Sequence, residues 1–290
     1  MNDLSNPATI RALLARHNFK FTKALGQNFL INPSVCPRMA EACFSENAGG
    51  AVEIGAGIGI LTRELCKTFP KVLSFEIDNA LMPILNETLA GFGNVEIINA
   101  DVLKTDLAEL LLEKFGGKPA SVCANLPYYI TSPVIMFLLE SGLNLENITV
   151  MIQREVADRL CAEVGSPLSG AITAAVHYYA VPEKLFRVSS GSFMPPPKVD
   201  STVIRLNIRR APPVEVADEE AFFRLIRAAF SQRRKTAVNS LSAGLGLPKE
   251  TVAHALDSCG FEQNIRAERF SLEDFARLAD TLNMYGQTQS

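Results

Sequence analysis

The run VEIGAGIGILT at positions 52–62 constrains this chain more than any other stretch. It begins apolar, carries Glu53, and then sets Gly55, Gly57 and Gly59 at alternating positions. Leu61 and Leu65 follow one helical turn apart. The pattern predicts a buried strand, a tight glycine turn and the start of a helix, the first unit of a nucleotide-type α/β fold. Glycine suits such a turn because it takes positive φ and lets a ligand come close to the backbone. The dinucleotide fingerprint needs G-x-G-x-x-G, and its third glycine position here is Ile60. A nicotinamide oxidoreductase fails at that residue, and another nucleoside ligand is required.

Strand and helix signals alternate on either side of the turn. Apolar runs at 71–76, 95–99, 122–124, 148–153, 185–188 and 203–208 read as further strands, giving seven with the first. Helical spacing fills 81–89, 107–115 and 171–179, and another helix begins at Pro33 and runs through Met39 and Cys43. Such alternation predicts a mostly parallel sheet covered on both faces. Past Ile208, Arg209-Arg210 and Pro212-Pro213 mark a linker, and the pattern beyond it is helical only, at 219–230, 235–243, 250–258 and 272–284. The expected domains are therefore 1–208, led by a basic segment at 1–30, and 209–290.

With 48% hydrophobic residues the chain has ample core material. The formal net charge of -3 means that any nucleic-acid contact must come from local basic patches. Arg11, Arg16, Lys20 and Lys23 form one such patch; Arg224, Arg227, Arg233, Arg234 and Lys235, with Asn239 beyond, form another. The six cysteines include no C-x-x-C pair and the three histidines lie far apart, so neither disulfides nor a metal site is expected. No secretory signal and no run long enough for a membrane span is present, which predicts a cytoplasmic protein.

Ligands of open α/β sheets bind beyond the carboxyl ends of the strands. Here Glu76 ends the second strand, Asp101 follows the third and Asn125 follows the fourth. Glu76 is placed to accept from ribose hydroxyls and Asp101 from the exocyclic amine of an adenine, with Ile77 and Val102 beside the ring. Both acids are also natural helix caps. The glycine turn favours S-adenosylmethionine, which has no pyrophosphate to lodge at a helix N-terminus. NLPYY at 125–129 suits a primary amine on a base. The Asn125 side-chain oxygen supplies one acceptor for its hydrogens, and the Leu126 or Pro127 carbonyl another. Pro127 stiffens the loop and Tyr128 offers a stacking face. Three successive prolines make 192–201 a rigid bend, and Phe193 before them is either core or the opposite face of an extruded base.

The order GQNFL, VEIGAGIGILT, FEID, NAD, NLPYY, FMPPPKVDS and AFSQRRKT resembles the ribosomal RNA adenine N6,N6-dimethyltransferases, from about residue 20 to 283. The bend and the helical tail resemble the bacterial small-subunit branch in particular. The resemblance implies a Rossmann-like class I methyltransferase sheet with a small all-helical, RNA-binding C-terminal domain. It implies dimethylation of two adjacent adenosines in a hairpin near the 3′ end of small-subunit RNA, on a late assembly particle, by a monomer. The implied donor site is Asn28, Leu30, Gly55, Glu76, Asp101 and Asn125. Asn125, Leu126, Pro127 and Tyr128 would hold the amine, with Phe193 completing the stack. Two departures stand out: Gly55-Ala56-Gly57 replaces the usual G-P-G, and 165–180 lacks the expected Tyr-Gly-Arg-Leu-Ser run. The resemblance thus carries chemistry further than substrate choice. Large-subunit RNA as substrate and a non-catalytic assembly factor are the alternatives.

Overall fold

A computed structural model describes residues 3–22, 26–232 and 234–287, with side chains through Asn283. Lys23 and Arg233, two of the expected basic contacts, lie outside the described residues.

The chain opens with α1 (Pro7–Arg16), for which Asn6 caps the first turn by accepting from Ala8 N at 2.8 Å, with Pro7 at the first helical position. After β1 (Phe29–Leu30) and α2 (Val35–Cys43) come the alternating units. They are β2 (Gly50–Ile54), α3 (Ile60–Thr68), β3 (Val72–Phe75), α4 (Met82–Leu89), β4 (Val95–Ile98), α5 (Leu107–Phe115), β5 (Ala120–Asn125), α6 (Thr131–Glu140) and β6 (Leu145–Gln153). Next stand α7 (Arg154–Leu160), α8 (Ala171–Tyr179), β7 (Ala180–Val188), β8 (Phe193–Met194) and β9 (Ser201–Ile208). Helices α9 (Glu219–Ala229), α10 (Ala237–Leu245), α11 (Lys249–Ser258) and α12 (Leu272–Gln287) complete the chain.

Seven strands form one sheet in the order β4-β3-β2-β5-β6-β9-β7, Rossmann-like as expected. The pairs from β4 across to β6 are parallel, whereas β9 runs antiparallel to β6 with Val150 opposite Ile204. Every residue of β2 and β3 is buried, the pattern of central parallel strands covered on both faces. Edge strand β4 is only partly covered. A second, two-stranded sheet pairs β1 with β8, Leu30 opposite Phe193. Nothing in the local sequence pattern predicts this pairing, whose strands are only two residues long.

The chain divides into two compact units, Met1–Ala157 with Pro182–Ile208, and Asp158–Val181 with Arg209–Ser290. The second unit thus takes up α8 as well as the helices past the linker. The reason is aromatic: Tyr179 stacks on Phe223 at 5.3 Å, and Tyr178 meets Phe222 and Phe223 at 5.3 and 5.0 Å. Both tyrosine hydroxyls donate to Glu219, at 3.2 and 2.7 Å. Within the same unit, α9 and α10 cross closely at Gly244, where an added Cβ would lie 2.6 Å from the Ala228 Cβ.

Candidate active site

Strand β2 is flanked by β3 on one side and β5 on the other, so the winding of the sheet reverses there. In open α/β sheets that reversal opens a crevice at the carboxyl ends of the strands. A cavity of about 260 Å³ lies at that place in the first unit. Every site residue named from the sequence lines it: Asn28, Leu30, Gly55, Glu76, Asp101, Asn125, Leu126, Pro127, Tyr128 and Phe193. Because the spatial order is β4-β3-β2-β5, Asp101, Glu76, Gly55 and Asn125 follow one another along the sheet edge. Three strand spacings of about 4.8 Å set that row at roughly 14 Å.

Gly55 has φ +81°, and an added Cβ would find nothing within 4 Å, so its backbone is open to the cavity. Glu76 is 7% exposed and accepts from Gly57 N and Asp78 N, each at 2.8 Å, one on each oxygen. The Ile77 N–H also acts on this carboxylate, whose oxygens can accept further hydrogen bonds. Burial pushes the Glu76 carboxyl up, opposed by those backbone N–H groups. Asp101 caps the short turn at 102–104 through Leu103 N at 3.1 Å, and its other oxygen lies 3.6 Å from Lys104 Nζ. Capping is therefore part of what Asp101 does, and it leaves one oxygen free of backbone. Val102 and Ile77 both reach the cavity, the first buried and the second 54% exposed.

The loop at 125–129 uses its two carbonyls differently. Pro127 O already accepts from Ile130 N and Thr131 Oγ1, both at 3.2 Å, because it begins the turn into α6. Leu126 N is tied to Met151 O at 3.2 Å, while the Leu126 carbonyl receives no hydrogen bond among the described residues. The Asn125 side chain makes none either. Two unspent acceptors thus stand side by side at the end of β5. Tyr128 is anchored by its hydroxyl to Ser201 Oγ at 3.2 Å. Phe193, 4% exposed, belongs to the core cluster beneath α2 and also borders the cavity.

Two residues at this site escaped the sequence reading. Gln27 donates through Nε2 to Asp78 Oδ2 at 2.6 Å and accepts from Thr22 N at 3.0 Å, tying the 26–30 strap to the loop after β3. Its partner lies 51 residues on, beyond any local signal. Glu53, 1% exposed, holds the Thr62 and Ser74 hydroxyls at 2.6 Å each. Burial raises its carboxyl to about 7, against the pull of those hydroxyls, and nearby Glu76 adds to the rise. A lone charge inside an otherwise apolar strand was the available sign. Among the described residues no group of His, Cys, Asp and Glu is placed to hold a metal ion. None of their helices is long and apolar enough to cross a membrane.

A family model described as ribosomal RNA adenine dimethylase matches residues 18–284. The chain belongs to the ribosomal RNA adenine dimethylase family. It is 45% identical over 284 residues, 97% of each chain, to the ribosomal RNA small subunit methyltransferase A of Geobacillus thermodenitrificans. The protein of that name from Bacillus cereus matches at 45% over 289 residues, 98% of this chain and 99% of its own. Among solved structures, a dimethyladenosine transferase from Plasmodium falciparum is 25% identical with a TM-score of 0.72, over 89% of this chain and 98% of its own. The 23S rRNA methyltransferase ErmE is 29% identical with a TM-score of 0.66, over 88% and 100%. As a ribosomal RNA adenine dimethylase, the chain is an enzyme that uses S-adenosylmethionine as methyl donor.

Proposed function

We propose that this dimethylase modifies the N6 amines of two adjacent adenosines in a hairpin near the 3′ end of small-subunit RNA, on a late assembly particle. It acts as a monomer in the cytoplasm, and the helical residues after 208 contribute RNA binding. The full-length likeness to relatives named for the small subunit supports the substrate. The chemistry rests on one observation above all, the pair of unspent acceptors, Asn125 Oδ1 and Leu126 O, beside the donor cavity.

The cavity's residues fit the donor. Glu76 can take ribose hydroxyls on its remaining lone pairs, Asp101 the adenine amine, and the open Gly55 backbone the methionine portion with Asn28 and Leu30. When bound, S-adenosylmethionine supplies a methyl group on a sulfonium that leaves as a neutral thioether. Asn125 and Leu126 accept the two N–H hydrogens of the target amine, which draws its lone pair out of conjugation with the ring and toward the methyl group. Tyr128 and Phe193 hold the base between them, and the apolar walls exclude water. No residue has to remove a proton before transfer, because the methylated nitrogen, cationic once the methyl is bound, releases its proton to solvent water afterwards. After the first methylation one N–H remains, so a single acceptor serves the second transfer.

Incubating the protein with labelled donor and immature small subunits, then mapping modified adenosines, tests the proposal. Dimethyladenosine at two neighbouring positions of the small-subunit hairpin is the expected result. Modification confined to large-subunit RNA reassigns the substrate. Donor binding without transfer to any ribosomal RNA overturns the enzymatic reading of the acceptor loop.

A further inference from the structure

NLPYY carries two tyrosines, and the structure treats them differently. Tyr128 is partly buried and held through its hydroxyl. Tyr129 borders the same cavity, yet it is 54% exposed and its hydroxyl has no partner among the described residues. Its backbone is not loose. The turn closed by Ile130 N on Pro127 O has Tyr128 and Tyr129 as its two central residues. One edge of the Tyr129 ring lies over Gly26, whose added Cβ would stand 3.8 and 3.9 Å from Cδ1 and Cε1. A rigid backbone and a supported edge leave an aromatic face presented at the lip of the site. An aromatic side chain placed in this way gains little from folding, whereas a base stacked on it gains much.

A polynucleotide brings its own occupant for that face. When one base is drawn into the cavity to meet Asn125 and Leu126, its covalent neighbour must sit at the lip, a backbone step away. In a pair of adjacent target adenosines that neighbour is itself a purine, the better stacking partner. We propose that Tyr129 is a specificity-determining residue, stacking on the nucleotide next to the adenosine being methylated. The inference rests on the ribosomal RNA reading above and adds a subsite to it. Because an RNA strand is directional, the subsite serves the transfer in which the other adenosine lies on the Tyr129 side of the cavity.

The test uses the full chain, S-adenosylmethionine and small-subunit particles with adenosine, 2-aminopurine or cytidine beside the target. Tyr129→Ala raises KM for the adenosine-flanked particle by roughly 5- to 100-fold. Donor affinity by calorimetry and the melting temperature stay near wild type. Tyr129→Phe restores KM, because the face and not the hydroxyl carries the contact. With cytidine as neighbour the penalty of Tyr129→Ala is several-fold smaller. Wild type quenches 2-aminopurine fluorescence at the neighbouring position, and Tyr129→Ala does not. Equal KM for Tyr129→Ala and wild type, a loss that Tyr129→Phe shares, or quenching that survives the alanine variant each overturns the inference. A wild-type enzyme that methylates no ribosomal RNA overturns the underlying reading instead, and is told apart by the absence of any product.

Discussion

Asn125 and Glu53 differ in what their side chains are committed to. The Asn125 side chain makes no hydrogen bond among the described residues, so Asn125→Ala removes the acceptor proposed for the amine without unmaking a structural bond. Turnover should fall roughly 100- to 1000-fold, the scale of losing one preorganised polar group. Donor binding by calorimetry should fall far less than turnover, and equal losses in both would count against the assigned role. Glu53 instead answers to pH. Its folded value near 7 lies above the ordinary 4.5, so the folded state binds its proton more tightly than the unfolded chain does. Its contribution to stability is complete below pH 4.5 and is lost as pH rises through 7. The melting temperature of Glu53→Gln should therefore gain on wild type between about pH 5 and 8, by no more than about 3 kcal/mol in free energy. A difference that stays flat across that range would argue that Glu53 ionises freely.

At the scale of elements, apolar runs revealed the seven strands of the main sheet, because buried parallel strands are continuous hydrophobic stretches. They did not reveal that β9 runs antiparallel to β6, since direction leaves no mark on a strand's own composition. Nor did they reveal β1 pairing with β8, which brings the strap at 26–30 beside the proline bend. The Gln27–Asp78 bond is the strap's other fastening. Gln27→Ala should raise the donor's KM about 3- to 10-fold with kcat nearly unchanged, as steady-state kinetics would show. In the helical unit, α9 and α10 approach so closely that Gly244→Val would place a side chain against Ala228. Chemical denaturation of that variant should show a loss of about 1–3 kcal/mol, with donor binding retained.

For the whole molecule, a net charge of -3 offers no general attraction to RNA, so binding falls to clusters. Arg224, Arg234 and Lys235 are exposed in the second unit, and Arg16 is paired with Glu87 at 2.9 Å. Replacing Arg234 and Lys235 together by alanine should lower the slope of log affinity against log salt by about 1–2, leaving donor binding intact. Filter binding across a salt series measures it. An unchanged slope would remove these two side chains from the phosphate contacts.

By itself the sequence determined the α/β class, the glycine turn and the polar residues at successive strand ends. These are covalently local: a strand end and the residue after it are neighbours in the chain whatever the rest of the fold does. The tertiary structure decided which carbonyl of NLPYY is free, because Pro127 O is consumed by the entry to α6. It also decided the joining of Gln27 to Asp78, the assignment of α8 to the helical unit and the neutral tendency of Glu53. Each depends on packing between residues distant in sequence or on removal from water. Neither leaves a periodic trace along the chain.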